Sequence, residues 1–151
     1  MVNTPRYIHT NLIAEDWKNL AHFYETVFAC VPVQPERDLA GEALDDATGI
    51  QAVHIRGIHL RLPGLGDDGP TLEIFQYDRN LERVESGANS PGFAHIAFAV
   101  DDVAATRDAV VAAGGSELGE LVSHEVAGVG WITFAYLKDP EGNLVEVQSV
   151  R

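Results

Sequence analysis

One pattern occurs twice along these 151 residues, and it limits what the chain can fold into. Tyr7-Ile8-His9-Thr10-Asn11-Leu12-Ile13-Ala14-Glu15-Asp16 aligns without a gap on Phe93-Ala94-His95-Ile96-Ala97-Phe98-Ala99-Val100-Asp101-Asp102, at an offset of 86 residues. Further on, Leu72-Glu73-Ile74-Phe75-Gln76 answers Val145-Glu146-Val147-Gln148 at an offset of 73. Each half opens with a strand-like run carrying one His and closes with a strand-like run carrying one Glu. Such a duplication predicts a pseudo-two-fold arrangement in which equivalent residues of the two halves meet.

Between those runs the hydrophobic period changes. Residues 7–13 are β-branched and aromatic. From Asp16 onward Leu20, Phe23, Tyr24, Val27 and Phe28 recur at three and four residues, which draws one apolar stripe on a helix. Asp16 is placed to cap it, and Pro32 to stop it. Residues 36–49 are polar and mixed, with a short helix expected over 43–47. Residues 51–62 form one long strand or two with a turn near Gly57. The Pro/Gly-rich stretch 63–70 is a loop, and 71–77 is the next strand.

Residues 78–92 are a connector rich in Asn, Ser, Gly and charge, with a helical turn expected over 81–84. The second half repeats the plan: a strand over 93–100, a helix over 103–113 ended by Gly114-Gly115, and strands over 118–126, 131–137 and 144–150. Asp139-Pro140-Glu141-Gly142-Asn143 reads as a turn with a structural role. The expected organisation is therefore one domain over 1–151, with module 1 at 5–78, a connector at 79–92 and module 2 at 93–151.

Composition removes several classes of function. A net charge of −13, with no local basic cluster, argues against nucleic acid and anionic membranes as partners. No apolar run approaches the roughly 20 residues that span a bilayer, and the N-terminal residues carry no basic-then-apolar signal. A cytoplasmic protein is expected. The single Cys30, beside Phe28, Ala29 and Val31, reads as a small buried thiol and not as a nucleophile or a metal ligand.

The repeated His and Glu residues carry the chemistry. Glu73 sits between Leu72 and Ile74, and Glu146 between Val145 and Val147. A carboxylate inside an apolar strand is costly to bury unless a cation compensates it, although on an open sheet face it is an ordinary exposed residue. Four such residues in register across a duplication favour a shared site. His9, Glu73, His95 and Glu146 are a plausible ligand set for one divalent ion of the Zn, Ni, Co, Mn or Fe kind. Four protein ligands on an octahedral ion leave two positions for a small-molecule substrate, an arrangement suited to proton transfer next to a carbonyl. His22, His54, His59 and His124 lack this repeated context. Arg61 shares a strand face with His59 and could hold an anionic group, although a surface Arg is the commoner case. Trp17 and Trp131 read as core or interface anchors.

These residues resemble the vicinal oxygen chelate superfamily, the group of glyoxalase I, methylmalonyl-CoA epimerase, extradiol dioxygenases and fosfomycin or bleomycin resistance proteins. The stretch Lys138-Asp139-Pro140-Glu141-Gly142-Asn143-Leu144-Val145-Glu146 is especially similar to the superfamily's closing hairpin. The resemblance covers nearly the whole chain. It implies an α+β fold of tandem βαβββ modules, with a curved mixed sheet around a metal held by His9, Glu73, His95 and Glu146. It also implies catalytic roles for Glu146 as general base and Glu73 as its counterpart, and a homodimer.

Within the superfamily the His-Glu-His-Glu set resembles glyoxalase I, hence a metal-dependent isomerase or lyase working through an enediolate. An extradiol-type dioxygenase and a non-catalytic binding or resistance protein are the alternatives. Two positions depart from glyoxalase I: Ile13 stands where an Arg meets glutathione, and Tyr77 where Asn is usual. The epimerase pattern has Gln at the position of Glu73 and a further acid, for which Asp45 or Asp46 lies in the right region. The His-to-Glu interval is 64 residues in the first half and 51 in the second. The excess is expected within 36–47, as a lid, a pocket wall or a functionless surface excursion.

Overall fold

The first histidine-bearing run pairs with the last strand of its own half. In the computed structural model, which describes residues 4–151, β1 (His9–Ile13) runs parallel to β4 (Thr71–Tyr77). Next come β3 (His54–Arg61) and β2 (Val31–Ala40), both antiparallel, in the order β1-β4-β3-β2. The second half repeats this. β5 (His95–Ala99) is parallel to β9 (Leu144–Val150), and β8 (Gly130–Lys138) is antiparallel to β9. Two short strands, β6 (Ser116–Glu117) and β7 (Val122–Val126), pair with opposite ends of β8. The chain divides into two compact units between Leu81 and Glu82, each holding one mixed sheet, and the class is α+β as expected.

In the first unit, α1 (Trp17–Phe28) packs on β3 and β4. Its stripe of Leu20, Phe23, Tyr24 and Phe28 is buried, as are Ile58, Leu60, Leu72 and Ile74 of the sheet. Because strand side chains alternate, the opposite sheet face receives Asn11, His59, Glu73 and Phe75. Asp16 caps the helix by accepting from the Asn19 amide at 3.1 Å. Pro32 is not the stop. Ala29 turns into the left-handed region at φ 53°, and the Cys30 amide closes back on the Tyr24 carbonyl at 3.2 Å. In the second unit α3 (Val103–Ala112), capped by Asp102, contributes buried Val103 and Val110 and packs on β8 and β9, where Ala135, Leu137, Val145 and Val147 are buried.

Other expectations are corrected. Residues 31–40, read partly as a polar segment, form β2, a strand broken by a bulge between Val33 and Arg37. The expected strand over 118–126 begins only at Val122, as β7; β6 lies ahead of that range, and between the two Leu118 still donates to the Tyr136 carbonyl at 3.0 Å. The bulge of β2 and the gap between β6 and β7 are equivalent interruptions, so the second unit carries the edge strand of the first in two pieces. β3 passes through Gly57 without a turn, and residues 81–84 form no helical turn. Among the described residues no helix is long and apolar enough to cross a membrane.

The extra length of the first unit is split. Residues 41–53, which include α2 (Glu42–Thr48), separate the paired ends Ala40 and His54, and a second excess lies in the loop at 62–70. Residues 36–40, by contrast, belong to β2. Leu44 of α2 packs with Tyr77 on a buried cluster of Val53, Ile55 and Phe75. Asp45 accepts from the amides of Ala52 and Val53 at 2.8 and 2.9 Å, which makes it a structural carboxylate and not a spare catalytic acid. The expected turn at 139–143 is confirmed. Asp139, almost fully buried, accepts from the Glu141 and Asn143 amides at 2.9 Å each and from the Asn143 side chain at 2.7 Å.

Candidate metal centre

Parallel pairing sets each His beside its Glu. In the first unit the register His9↔Thr71, Asn11↔Glu73 puts His9 and Glu73 one residue pair apart along the same sheet face. The second unit repeats it as His95↔Leu144, Ala97↔Glu146. His9 Nε2 lies 3.5 Å from Glu73 Oε2, and His95 Nε2 lies 3.0 Å from Glu146 Oε2. Two donors about 2.1 Å from one ion and at right angles to each other lie about 3 Å apart, so both pairs fit neighbouring positions of one coordination sphere. The carboxylates are the more sheltered partners. Glu73 and Glu146 side chains are 12% and 15% exposed, against 40% and 32% for His9 and His95.

Around Glu73 the structure gathers groups that the sequence did not single out. Antiparallel pairing places His59 directly across from Glu73, with Nε2 at 3.0 Å from Oε1. On the other side Asn11 donates its side-chain N–H to Oε2 at 2.8 Å. The far nitrogen of His59, Nδ1, is 3.2 Å from the Thr71 hydroxyl, and its ring sits edge-on to Phe75. Burial is the main cause holding the His59 imidazole below its ordinary pKa; Glu73 opposes it, and Arg37 and His9 add to it. His59 is therefore held toward the neutral form.

The two oxygens of Glu73 face different imidazoles and do not close with them on one point. Among the described residues no group of three or more His, Cys, Asp or Glu side chains is gathered in metal-holding geometry.

Glu146 stands in a different setting. Across from it, at the place His59 occupies in the first unit, is Tyr136, and at the place of Asn11 is Ala97. Tyr136 packs its ring 5.2 Å from His95 and 5.7 Å from Phe134, and His124 extends the row at 5.7 Å from Phe134. Trp17 is buried and Trp131 exposed. Arg61 pairs with the exposed Asp67 at 3.3 Å, while its Nε is buried without a hydrogen-bond partner.

Residues 6–147 match the family model described as the Glyoxalase/Bleomycin resistance protein/Dioxygenase superfamily. The chain belongs to that superfamily. Two curated superfamily relatives are called probable lactoylglutathione lyase. One, from Vibrio parahaemolyticus, is 36% identical over 92 residues, or 58% of this chain. The other, from Vibrio cholerae, is 35% identical over 88 residues, or 56% of this chain. The matches span only 60% and 57% of those relatives' own length. Among solved structures, a glyoxalase family protein from Bacillus cereus superposes with a TM-score of 0.84 over 98% of this chain and 95% of its own, at 17% identity. At that identity the likeness shows the superfamily fold and nothing finer.

Proposed function

We propose that this chain binds one divalent ion through His9, Glu73, His95 and Glu146, and that it is a glyoxalase I-like isomerase or lyase acting on a small carbonyl or hydroxy-carbonyl compound. One observation carries the reading: in each unit a His and a Glu from neighbouring parallel strands bring nitrogen and oxygen to 3.5 and 3.0 Å, the spacing of adjacent ligands. The names of the two Vibrio relatives support the same chemistry.

Imidazole and carboxylate suit Zn, Ni, Co, Mn or Fe in the divalent state. When bound, such an ion polarises a substrate carbonyl and acidifies the neighbouring C–H bond. The residues do the rest. Glu146 takes the proton from that carbon, and the electron pair of the broken bond moves into an enediolate. The proton then returns to the adjacent carbon as the carbonyl re-forms one position along. The rings of Tyr136 and Phe134, packed beside His95, offer the substrate an apolar contact near Glu146.

The test is elemental analysis of the purified protein beside a Glu146→Gln variant. About one divalent ion per chain, weakened by the substitution, is the expected result, followed by turnover in a screen that starts with hemithioacetals and acyl-CoA epimers. Absence of bound metal, together with no effect of Ni²⁺, Zn²⁺, Co²⁺ or Mn²⁺ on thermal stability, would overturn the reading.

A further inference from the structure

The two candidate carboxylates are not equivalent, and the difference lies in residues outside the repeated His-Glu pattern. We infer that His59 is a positioning residue for Glu73: it fixes the carboxylate as a permanent anionic ligand. The inference rests on the metal reading proposed above.

Three geometric facts support it. His59 is the cross-strand partner of Glu73, and its Nε2 lies 3.0 Å from Oε1, the oxygen turned away from His9. Its other nitrogen is held by the Thr71 hydroxyl at 3.2 Å. When Thr71 donates to Nδ1, the imidazole proton sits on Nε2, the nitrogen facing the carboxylate. The opposite tautomer would set a lone pair against a carboxylate oxygen at 3.0 Å, which is repulsive without a cation between them. Third, Asn11 donates to Oε2 at 2.8 Å, so both Glu73 oxygens are held from groups on neighbouring strands. A ligand whose outer contacts fix its orientation binds metal more tightly and exchanges less readily. At the equivalent place beside Glu146 stands Tyr136, whose ring packs on His95 and Phe134.

The experiment compares wild type, His59→Leu and His59→Gln, each titrated with Co²⁺ alone and followed by its visible absorption and by calorimetry. Thermal melts of the metal-free proteins check folding. The expected result is a loss of Co²⁺ affinity of roughly 10-fold or more in His59→Leu. His59→Gln, which keeps an N–H donor near the position of Nε2, recovers most of it. The absorption band positions at saturation are expected to match wild type, because the donor set is unchanged. Should His59→Leu fail to fold, Thr71→Val provides the same reading through a smaller loss of affinity with an unshifted spectrum.

Unchanged affinity in the folded variants would overturn the positioning role. A shifted Co²⁺ spectrum in His59→Leu would overturn it differently, by showing that His59 is itself a ligand. Failure of the wild-type protein to bind Co²⁺ would sink the metal reading first, an outcome distinct from both.

Discussion

The same His-Glu pair is built twice here and finished in two ways. In the first unit the pair is surrounded by polar groups: Asn11 and His59 reach the two oxygens of Glu73, and Thr71 steadies His59. In the second it is surrounded by rings, with Tyr136, Phe134 and His124 running away from His95 along one sheet face. The register of β1, β4 and β3 is repeated in β5, β9 and β8, so the difference around the two pairs belongs to side chains. A duplicated sheet thus yields a carboxylate met by His9, His59 and Asn11 in one copy and by His95 in the other. For proton transfer that is a useful division, because a base must leave its resting contacts to reach carbon and a structural ligand must not.

The largest effect should separate the two carboxylates. Glu146→Gln is expected to lower kcat by roughly 10²- to 10⁴-fold, whereas Glu73→Gln is expected to act chiefly by releasing metal. Steady-state kinetics with and without saturating metal distinguishes them, and equal rescue of both variants by metal would erase the asymmetry.

A second contrast concerns packing. Gly57 faces Phe75 across β3 and β4, and a Cβ there would collide with the Ile74 carbonyl and the Phe75 ring. At the equivalent position the second unit has Phe134 opposite Gln148, so the large ring comes from the other strand. Gly57→Ala should cost about 1–3 kcal/mol by overpacking, read as a lower midpoint in urea. No shift would show that the β4 backbone at Ile74, as well as the Phe75 ring, moves aside freely.

A third substitution tries to turn one unit into the other. Tyr136→His gives Glu146 the kind of neighbour that Glu73 has, and should slow turnover roughly tenfold while leaving metal affinity at or above wild type. Turnover equal to wild type would mean that a neighbouring imidazole does not restrain a carboxylate here.

The smallest effect is expected at Cys30. Burial first, then the Glu25 charge, push its thiol up to about 12 from 9.0. Because the folded value is the higher one, the unfolded chain loses the proton first. The thiol therefore favours the folded state only while protonated, and stability declines from about pH 9 upward. At neutral pH the native protein should resist alkylation by iodoacetamide and the denatured chain should react, as mass spectrometry would show.

Much of this was legible because local signals agreed. The three-and-four stripe from Leu20 to Phe28 with Asp16 ahead of it specified α1, and the alternation around Glu73 and Glu146 specified β4 and β9. What escaped depended on pairing. β2 carries Pro32, Pro35, Glu36, Arg37 and Asp38, which break any alternation, and an edge strand with a bulge tolerates them. His59 gave no sign of its role because the loop at 62–70 hides which residue of β3 faces which residue of β4. Once the pairing Arg61↔Thr71 is known, His59↔Glu73 follows by counting back two on β3 and forward two on β4.

The excursion at 41–53 leaves the sheet at Ala40 and rejoins it at His54, and those two residues are register partners. Its two ends are therefore side by side, and the strands beneath are bridged whatever lies between. In the second unit the matching strand ends are joined through a short turn at 127–129. Evolution can thus lengthen, shorten or exchange this excursion as a cassette without touching the ladder that aligns His59 with Glu73. The first unit keeps its His and Glu residues on the strands and its freedom to vary in length at this junction.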